Sequence, residues 1–174
     1  LLLRSGASIQ EVNAVRKHLS LIKGGRLAAA TGAEIIALIL SDVIGDDLGS
    51  IGSGPTAPDP TTYADARGIL HRYGLWHHVP SGVRAHVFKG MRGRVGETPK
   101  PRAGVFARVY NHLIGNNRQA VEAVAREAAR RGIHPLVLSA SITGEARELG
   151  KVFGAIAREI KASGAPVKRP ASIR

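Results

Sequence analysis

Ile35-Ile36-Ala37-Leu38-Ile39-Leu40 is an unbroken apolar run, and Ser41-Asp42-Val43-Ile44-Gly45-Asp46-Asp47-Leu48-Gly49-Ser50-Ile51-Gly52-Ser53-Gly54-Pro55-Thr56-Ala57-Pro58-Asp59-Pro60 follows it directly. The run is too short for a helix of ordinary length and rich in branched side chains, so a buried strand is predicted over residues 34–40. The segment behind it is dominated by Gly, Ser and Pro, and long ordered loops in compact domains are usually functional. Asp42, Asp46 and Asp47 stand just past the strand's C-terminal end, where ligands bind in open α/β sheets.

Before this stretch, Ser8 and Glu11 form a capping-box pattern, and Ile9, Val12, Val15 and Leu19 recur at helical spacing. A helix over 8–20 is predicted. Beyond it, Lys23-Gly24-Gly25-Arg26 allows two readings: backbone N–H groups and two cations brought to an anion, or a helix end with solvated side chains. After the loop, Thr61 or Thr62 caps a helix that ends at Gly74, and Pro80 opens another that runs to about Gly90. Trp76-His77-His78 between them reads as a turn, since neighbouring histidines point apart. Met91 to Gly104 is a connection rich in Gly, Pro and basic residues. A second strand is predicted over 105–114, a helix capped by Asn116 and ending at Gly132, a third strand over 134–140, and a long helix from Thr143-Gly144-Glu145 to about Ala162.

The alternation of strand and helix predicts a parallel-sheet α/β sandwich, Rossmann-like and three-layered. With 174 residues, 44% of them hydrophobic, one α/β domain over residues 1–174 is expected. There are no cysteines, which excludes disulfides and thiolate chemistry and suits a cytoplasmic setting. No apolar run reaches the roughly 20 residues needed to cross a bilayer. Lys and Arg exceed Asp and Glu by 17 to 6 over residues 88–174, against 8 to 7 over residues 1–87. That excess suits small anions; with aromatics at 4%, base-stacking platforms for nucleic acid are disfavoured.

Gly52-Ser53-Gly54-Pro55-Thr56-Ala57 matches a dinucleotide fingerprint only by letter. The strand ends about a dozen residues too early, and the prolines at 55, 58 and 60 forbid the helix that must start there. A G-x-x-x-x-G-K-[ST] phosphate loop is also missing. The three aspartates suit Mg²⁺ held together with substrate phosphates, or a general base for a hydroxyl that attacks phosphorus. The plainer reading is a turn-capping Asp42 with Asp46 and Asp47 solvated. Asp42 is ranked first because it lies nearest the strand end.

Several longer motifs then line up. Val15-Arg16-Lys17-His18-Leu19-Ser20, Ile22-Lys23-Gly24-Gly25-Arg26-Leu27, Leu40-Ser41-Asp42-Val43-Ile44-Gly45-Asp46-Asp47, Ser53-Gly54-Pro55-Thr56 with Pro58-Asp59-Pro60-Thr61-Thr62, Ile114-Gly115-Asn116-Asn117, and Gly144-Glu145-Ala146-Arg147-Glu148 together resemble the glycerate 2-kinase family with a MOFRL-type C-terminal part, often labelled hydroxypyruvate reductase. The resemblance implies transfer of the γ-phosphoryl group of ATP to D-glycerate, giving 2-phosphoglycerate, with Mg²⁺. It implies catalytic roles for Asp42, Asp46 and Asp47, with Asp42 and Asp46 as metal ligands. It also implies substrate or anion binding by Arg16, Lys17, Lys23, Gly24, Gly25, Arg26, Ser53, Gly54 and Thr56. Family members have two α/β domains, so the chain is expected to be a fragment, most of the N-terminal domain, inactive by itself and compatible with a homodimer. The competing readings are an NAD(P)-dependent hydroxypyruvate reductase and a basic module that binds anions or nucleic acid without catalysis.

Overall fold

The structure is a computed structural model that describes residues 1–174. Its contacts divide the chain into two compact units, residues Leu1–Ile39 with Asp47–His112, and Leu40–Asp46 with Leu113–Arg174. The class is α/β, as predicted. No helix is long and apolar enough to cross a membrane.

In the first unit, α1 (Ile9–His18) begins with the predicted capping box: Glu11 N–H donates to Ser8 Oγ at 3.3 Å and Ser8 N–H to the Glu11 carboxylate at 2.9 Å. A single helical turn, α2 (Arg26–Ala29), precedes β1 (Ile35–Leu40). The helix α3 (Tyr63–Arg72) is capped the same way as α1, by Thr62 with Asp65, and α4 (Ser81–Met91) follows Pro80. Helix α3 packs against both α1 and α4. Ala14, Val15, Tyr63, Ala66, Ile69, Leu70, Trp76 and Val87 form the core. Gly90 is required there, because a Cβ on it would lie 2.3 Å from the Tyr63 ring.

Two strand predictions need correction. Residues Gly104–Arg108 form a 3₁₀ turn, and β2 is Val109–Gly115. The turn sets the Phe106 ring over Gly25 and lets the Arg108 guanidinium donate to Thr31 O at 2.5 Å, anchors that an extended chain would forfeit. The pairing of β1 with β2 makes one two-stranded sheet. The buried strand expected at β1 is half met: alternate side chains are covered, but Ile36, Leu38 and Leu40 are 67–74% exposed.

In the second unit, α5 (Asn117–Arg130) is capped by Asn116 and ends before Gly132, whose φ is +74°. The third strand is shorter than predicted. Only His134–Leu136 forms β3, and it pairs in parallel with β4 (Ala171–Ile173), with Pro135 opposite Ser172. Between them lies α6 (Ala146–Ser163). Helix α5 rests on β3 and α6 on β4.

A buried ionic network ties α1 to the loops of the first unit. Asp59, fully buried between two prolines, accepts from Thr61 N–H at 3.1 Å, Thr61 Oγ at 2.7 Å and Thr98 Oγ at 3.0 Å, and Lys17 Nζ lies 3.4 Å from its Oδ1. The buried His18 ring bridges Ala14 O (2.8 Å) and the Glu97 carboxylate (3.1 Å). Burial pushes the Glu97 carboxyl upward, but hydrogen bonds from Tyr63 N–H, Lys100 and His18 outweigh it and hold the group below the usual glutamate value.

Two stability measurements follow from this packing. Gly90→Ala forces a methyl into the Tyr63 ring, and overpacking of this kind lowers unfolding free energy by about 1–3 kcal/mol; an unchanged denaturant midpoint would mean that the ring can yield. Asp59→Ala strands the buried Lys17 charge, so a loss of about 3–5 kcal/mol is expected in the same experiment. A loss below about 1 kcal/mol, the size of an ordinary substitution, would show that the pair does not hold the loops.

Candidate functional site

The loops that follow the C-terminal ends of β1, β2 and β3 converge in the second unit. Val43, Ile44, Gly45 and Asp46 from the first, Asn116, Asn117 and Arg118 from the second, and Ala140 and Ser141 from the third line a cleft of about 130 Å³. Convergence at strand C-termini is the placement that α/β folds use for ligands. Chain geometry explains it: a strand that hands over to a helix exposes backbone groups and the helix N-terminus at that end. Here α5 presents its positive end, and Arg118 in its first turn adds a full charge.

Asp46 supplies the opposing charge. Its backbone is left-handed, with φ +54°, uncommon for a residue with a side chain. Asn116 Nδ2 donates to its Oδ2 at 2.8 Å, while Asn116 Oδ1 accepts Gln119 N–H at 3.0 Å as the cap of α5. One amide therefore caps the helix and fixes the carboxylate. Asn117 Nδ2 donates to Ala140 O at 2.6 Å and pins the third loop beside them.

The three aspartates are held differently. Asp42 is exposed, and no side-chain hydrogen bond within its unit fixes it, whereas Ser41 beside it is buried and bonded to the Val43 backbone. Rigidity from proximity to the strand end is thus not what the structure gives; the anchored residue is Asp46. Asp47 is spent on its own turn: its carboxylate accepts from Ser50 Oγ at 2.6 Å and Gly49 N–H at 3.2 Å. The Ser50 hydroxyl is the main reason that its carboxyl lies below the usual aspartate value, against a smaller upward push from burial. No group of three or more acidic or imidazole side chains gathers as a metal cage. Asp46 lines the cleft and Asp42 stands exposed outside its lining, and one or two such carboxylates with substrate phosphates are the donors that Mg²⁺ normally takes.

The glycine pair at 24–25 sits in the first unit and behaves differently from an anion nest. Gly24 N–H donates to Ser53 O at 2.9 Å and Gly25 N–H to Gly54 O at 2.7 Å, so both groups are consumed in joining the two glycine-rich turns. A Cβ at Gly25 would meet Phe106 at 2.8 Å. Lys23 Nζ donates to Gly52 O at 2.9 Å, and Arg26 bridges Tyr63 OH and Gly96 O. Arg16 bonds Asn13 Oδ1 at 3.3 Å, and Ser53 Oγ bonds the same oxygen at 2.9 Å. Thr56 and Asn111 exchange two hydrogen bonds. Ser53 Oγ thus ties the turn to Asn13 of α1, and Lys23, Gly24 and Gly25 tie it to the segment that follows α1.

The sequence assigned Asn116 a role only as a cap and gave no role to Arg118, Ser141, Glu97, Thr98 or Asp59, although Asn116 and Asp59 stand in its family motifs. Asn116-Asn117 directly behind a strand was the available signal for the cleft. Nothing local marks Asp59 as buried, since Pro-Asp-Pro is ordinarily an exposed turn.

Comparison with known proteins places this geometry. A family model described as Domain of unknown function (DUF4147) matches residues 1–88. The glycerate 2-kinase of Pyrococcus horikoshii is 46% identical over 98% of the chain, and a relative from Agrobacterium vitis that carries the hydroxypyruvate reductase name is 48% identical over 99% of it. The crystal structure of glycerate kinase from Thermotoga maritima superposes with a TM-score of 0.72 at 39% identity, covering 99% of this chain and 39% of that one. The chain spans 37–38% of the length of the two curated relatives. The chain belongs to the DUF4147 family, and over nearly its whole length it is similar to glycerate 2-kinases.

Proposed function

We propose that this chain is part of the N-terminal domain of a D-glycerate 2-kinase that moves the γ-phosphoryl group of ATP to the 2-hydroxyl of D-glycerate. The similarity of nearly the whole chain to glycerate 2-kinases carries the reading. The cleft chemistry suits it. In the transfer, the substrate oxygen bonds to phosphorus as the bond from phosphorus to the ADP oxygen breaks, and the hydroxyl proton must leave. Asp46 is the carboxylate suited to take that proton, since Asn116 occupies one of its oxygens and leaves the other. Arg118 and the first turn of α5 suit the charge on the phosphoryl oxygens. Asp42 would hold Mg²⁺, which when bound neutralises phosphate charge, and the second oxygen of Asp46 stays available for the proton.

The reductase name of the Agrobacterium vitis relative favours a second reading, reduction of hydroxypyruvate by a nicotinamide cofactor. The Gly52–Gly54 turn gives it no help. It is a 3₁₀ turn spent on docking to Gly24–Gly25, with no helix opening inside it to receive a pyrophosphate.

Two assays on the intact protein decide between them. Formation of ADP from ATP and D-glycerate, without NAD(P)H oxidation by hydroxypyruvate, is the expected outcome; the reverse pattern refutes the kinase. In the kinase assay Asp46→Asn should lower kcat by about 10²-fold or more, the usual worth of a general base, with melting unchanged. If Asp46→Asn keeps full turnover and Asp42→Asn loses it, the base is Asp42 and the Asn116 contact is only structural.

A further inference from the structure

Between Asp65 and Glu97 the chain carries six Lys and Arg residues and no Asp or Glu. Helices α3 and α4 therefore meet solvent with one sign of charge. Two of the six are committed: Arg72 pairs with Glu11 at 2.6 Å, and Arg84 donates to the backbone carbonyls of His77 and Val79. Arg67, Lys89, Arg92 and Arg94 take part in none of the ion pairs of the first unit, which join Lys17, His18, Arg72 and Lys100 to Asp59, Glu97 and Glu11.

Arg67 is the least satisfied of them. Its guanidinium carbon lies 5.6 Å from the centre of the Trp76 ring and 5.5 Å from that of Phe88, and its Nε is closed off from solvent without a hydrogen-bond acceptor. Cation–π attraction offsets part of that loss, but a desolvated donor still lacks the acceptor it would have in water. Its own helix cannot supply one, since the positions three and four residues away are Tyr63, Ala64, Leu70 and His71. His71 stacks on Trp76 at 5.1 Å and Trp76 meets Phe88 edge to face at 5.4 Å, so the guanidinium rests on one packed aromatic cluster.

Apolar surface stands beside it. Phe88 and Met91 are 39% and 41% exposed, and their spacing puts them on one side of α4 with Arg92. Charge alone would suit a phosphate backbone as well, but the Trp76 ring is 6% exposed and gives bases no platform to stack on. A second copy of this chain would bring like charge, with a net +12 on each. An acidic protein segment meets both features, carboxylates for the cations and an apolar side chain for Phe88 and Met91.

We propose that the α3–α4 face of the first unit is a docking surface for an acidic segment of a partner protein, with Arg67 taking a carboxylate and Phe88 and Met91 taking the apolar residue next to it. The surface goes beyond the kinase reading and does not depend on it. Arg67 is suited to the role because a guanidinium grips a carboxylate through two parallel N–H groups in its own plane, and the rings beneath it hold that plane without competing as acceptors.

The probe is a fluorescein-labelled peptide of alternating Glu and Leu, titrated into the intact protein and followed by fluorescence anisotropy. It should bind, more weakly as salt is raised, and the same peptide with Gln in place of Glu should not. Arg67→Lys keeps the charge and loses the planar fork, so affinity for the Glu peptide should fall about 10-fold or more. Met91→Gln changes no charge and sits at an exposed position, so it tests the surface even if Arg67→Lys lowers the melting temperature; it should weaken the peptide several-fold. Equal affinity in wild type and both variants would reduce the face to diffuse positive charge. Equal binding of the Gln peptide, tighter binding of a single-stranded oligodeoxynucleotide, self-association that Met91→Gln abolishes, or no binding of the Glu peptide would refute docking of an acidic segment.

Discussion

The backbone junction between two glycine turns is the constraint on which the first unit depends. Gly24 and Gly25 give their N–H groups to the carbonyls of Ser53 and Gly54, and all four residues have positive φ. Such a junction forms only where two backbones approach without side chains between them, and the space available at Gly24 and Gly25 is already filled by Lys17, Thr98 and Phe106. Ser53 accepts left-handed strain because its hydroxyl finds Asn13 of α1 in the interior. Through that junction the end of α1, the start of β1 and the loop behind β1 are placed with respect to one another before any charged group is considered.

Charge then refines what the backbone fixes. Lys17 and His18 are adjacent on the last turn of α1; Lys17 meets Asp59 at 3.4 Å, while His18 bonds Glu97 at 3.1 Å with Asp59 farther off at 3.9 Å. The buried Lys17 charge is tolerable because it meets a carboxylate that is itself surrounded by donors. The same logic, on a smaller scale, lets Asp46 take an unfavourable backbone conformation beside Asn116.

What the sequence showed and what it hid divide along the same line. The helix starts at Ser8, Thr62 and Asn116 were legible because capping is a local exchange between residues three apart. The loop after Leu40 was legible because strand ends and polar turns leave a composition signal. The fate of the Gly24 and Gly25 N–H groups was not, since it depends on residues nearly thirty positions away. Nor was the burial of Asp59, which requires Thr98 from a distant connection. The 3₁₀ turn at Gly104–Arg108 was lost to the apolar look of Val105-Phe106-Ala107, whose value lies in the tertiary anchor of Phe106 and not in strand pairing.

Asn116 carries two duties on one amide, and this makes its position thermodynamically indivisible. Its oxygen terminates α5 and its nitrogen orients Asp46. Any ligand that draws the carboxylate toward itself must also act on the first turn of a fourteen-residue helix, and anything that frays that turn must release the carboxylate. By reciprocity the two effects are equal in free energy. The cleft thus reads the integrity of α5, and the helix reads the occupancy of the cleft, through a side chain that neither can replace independently.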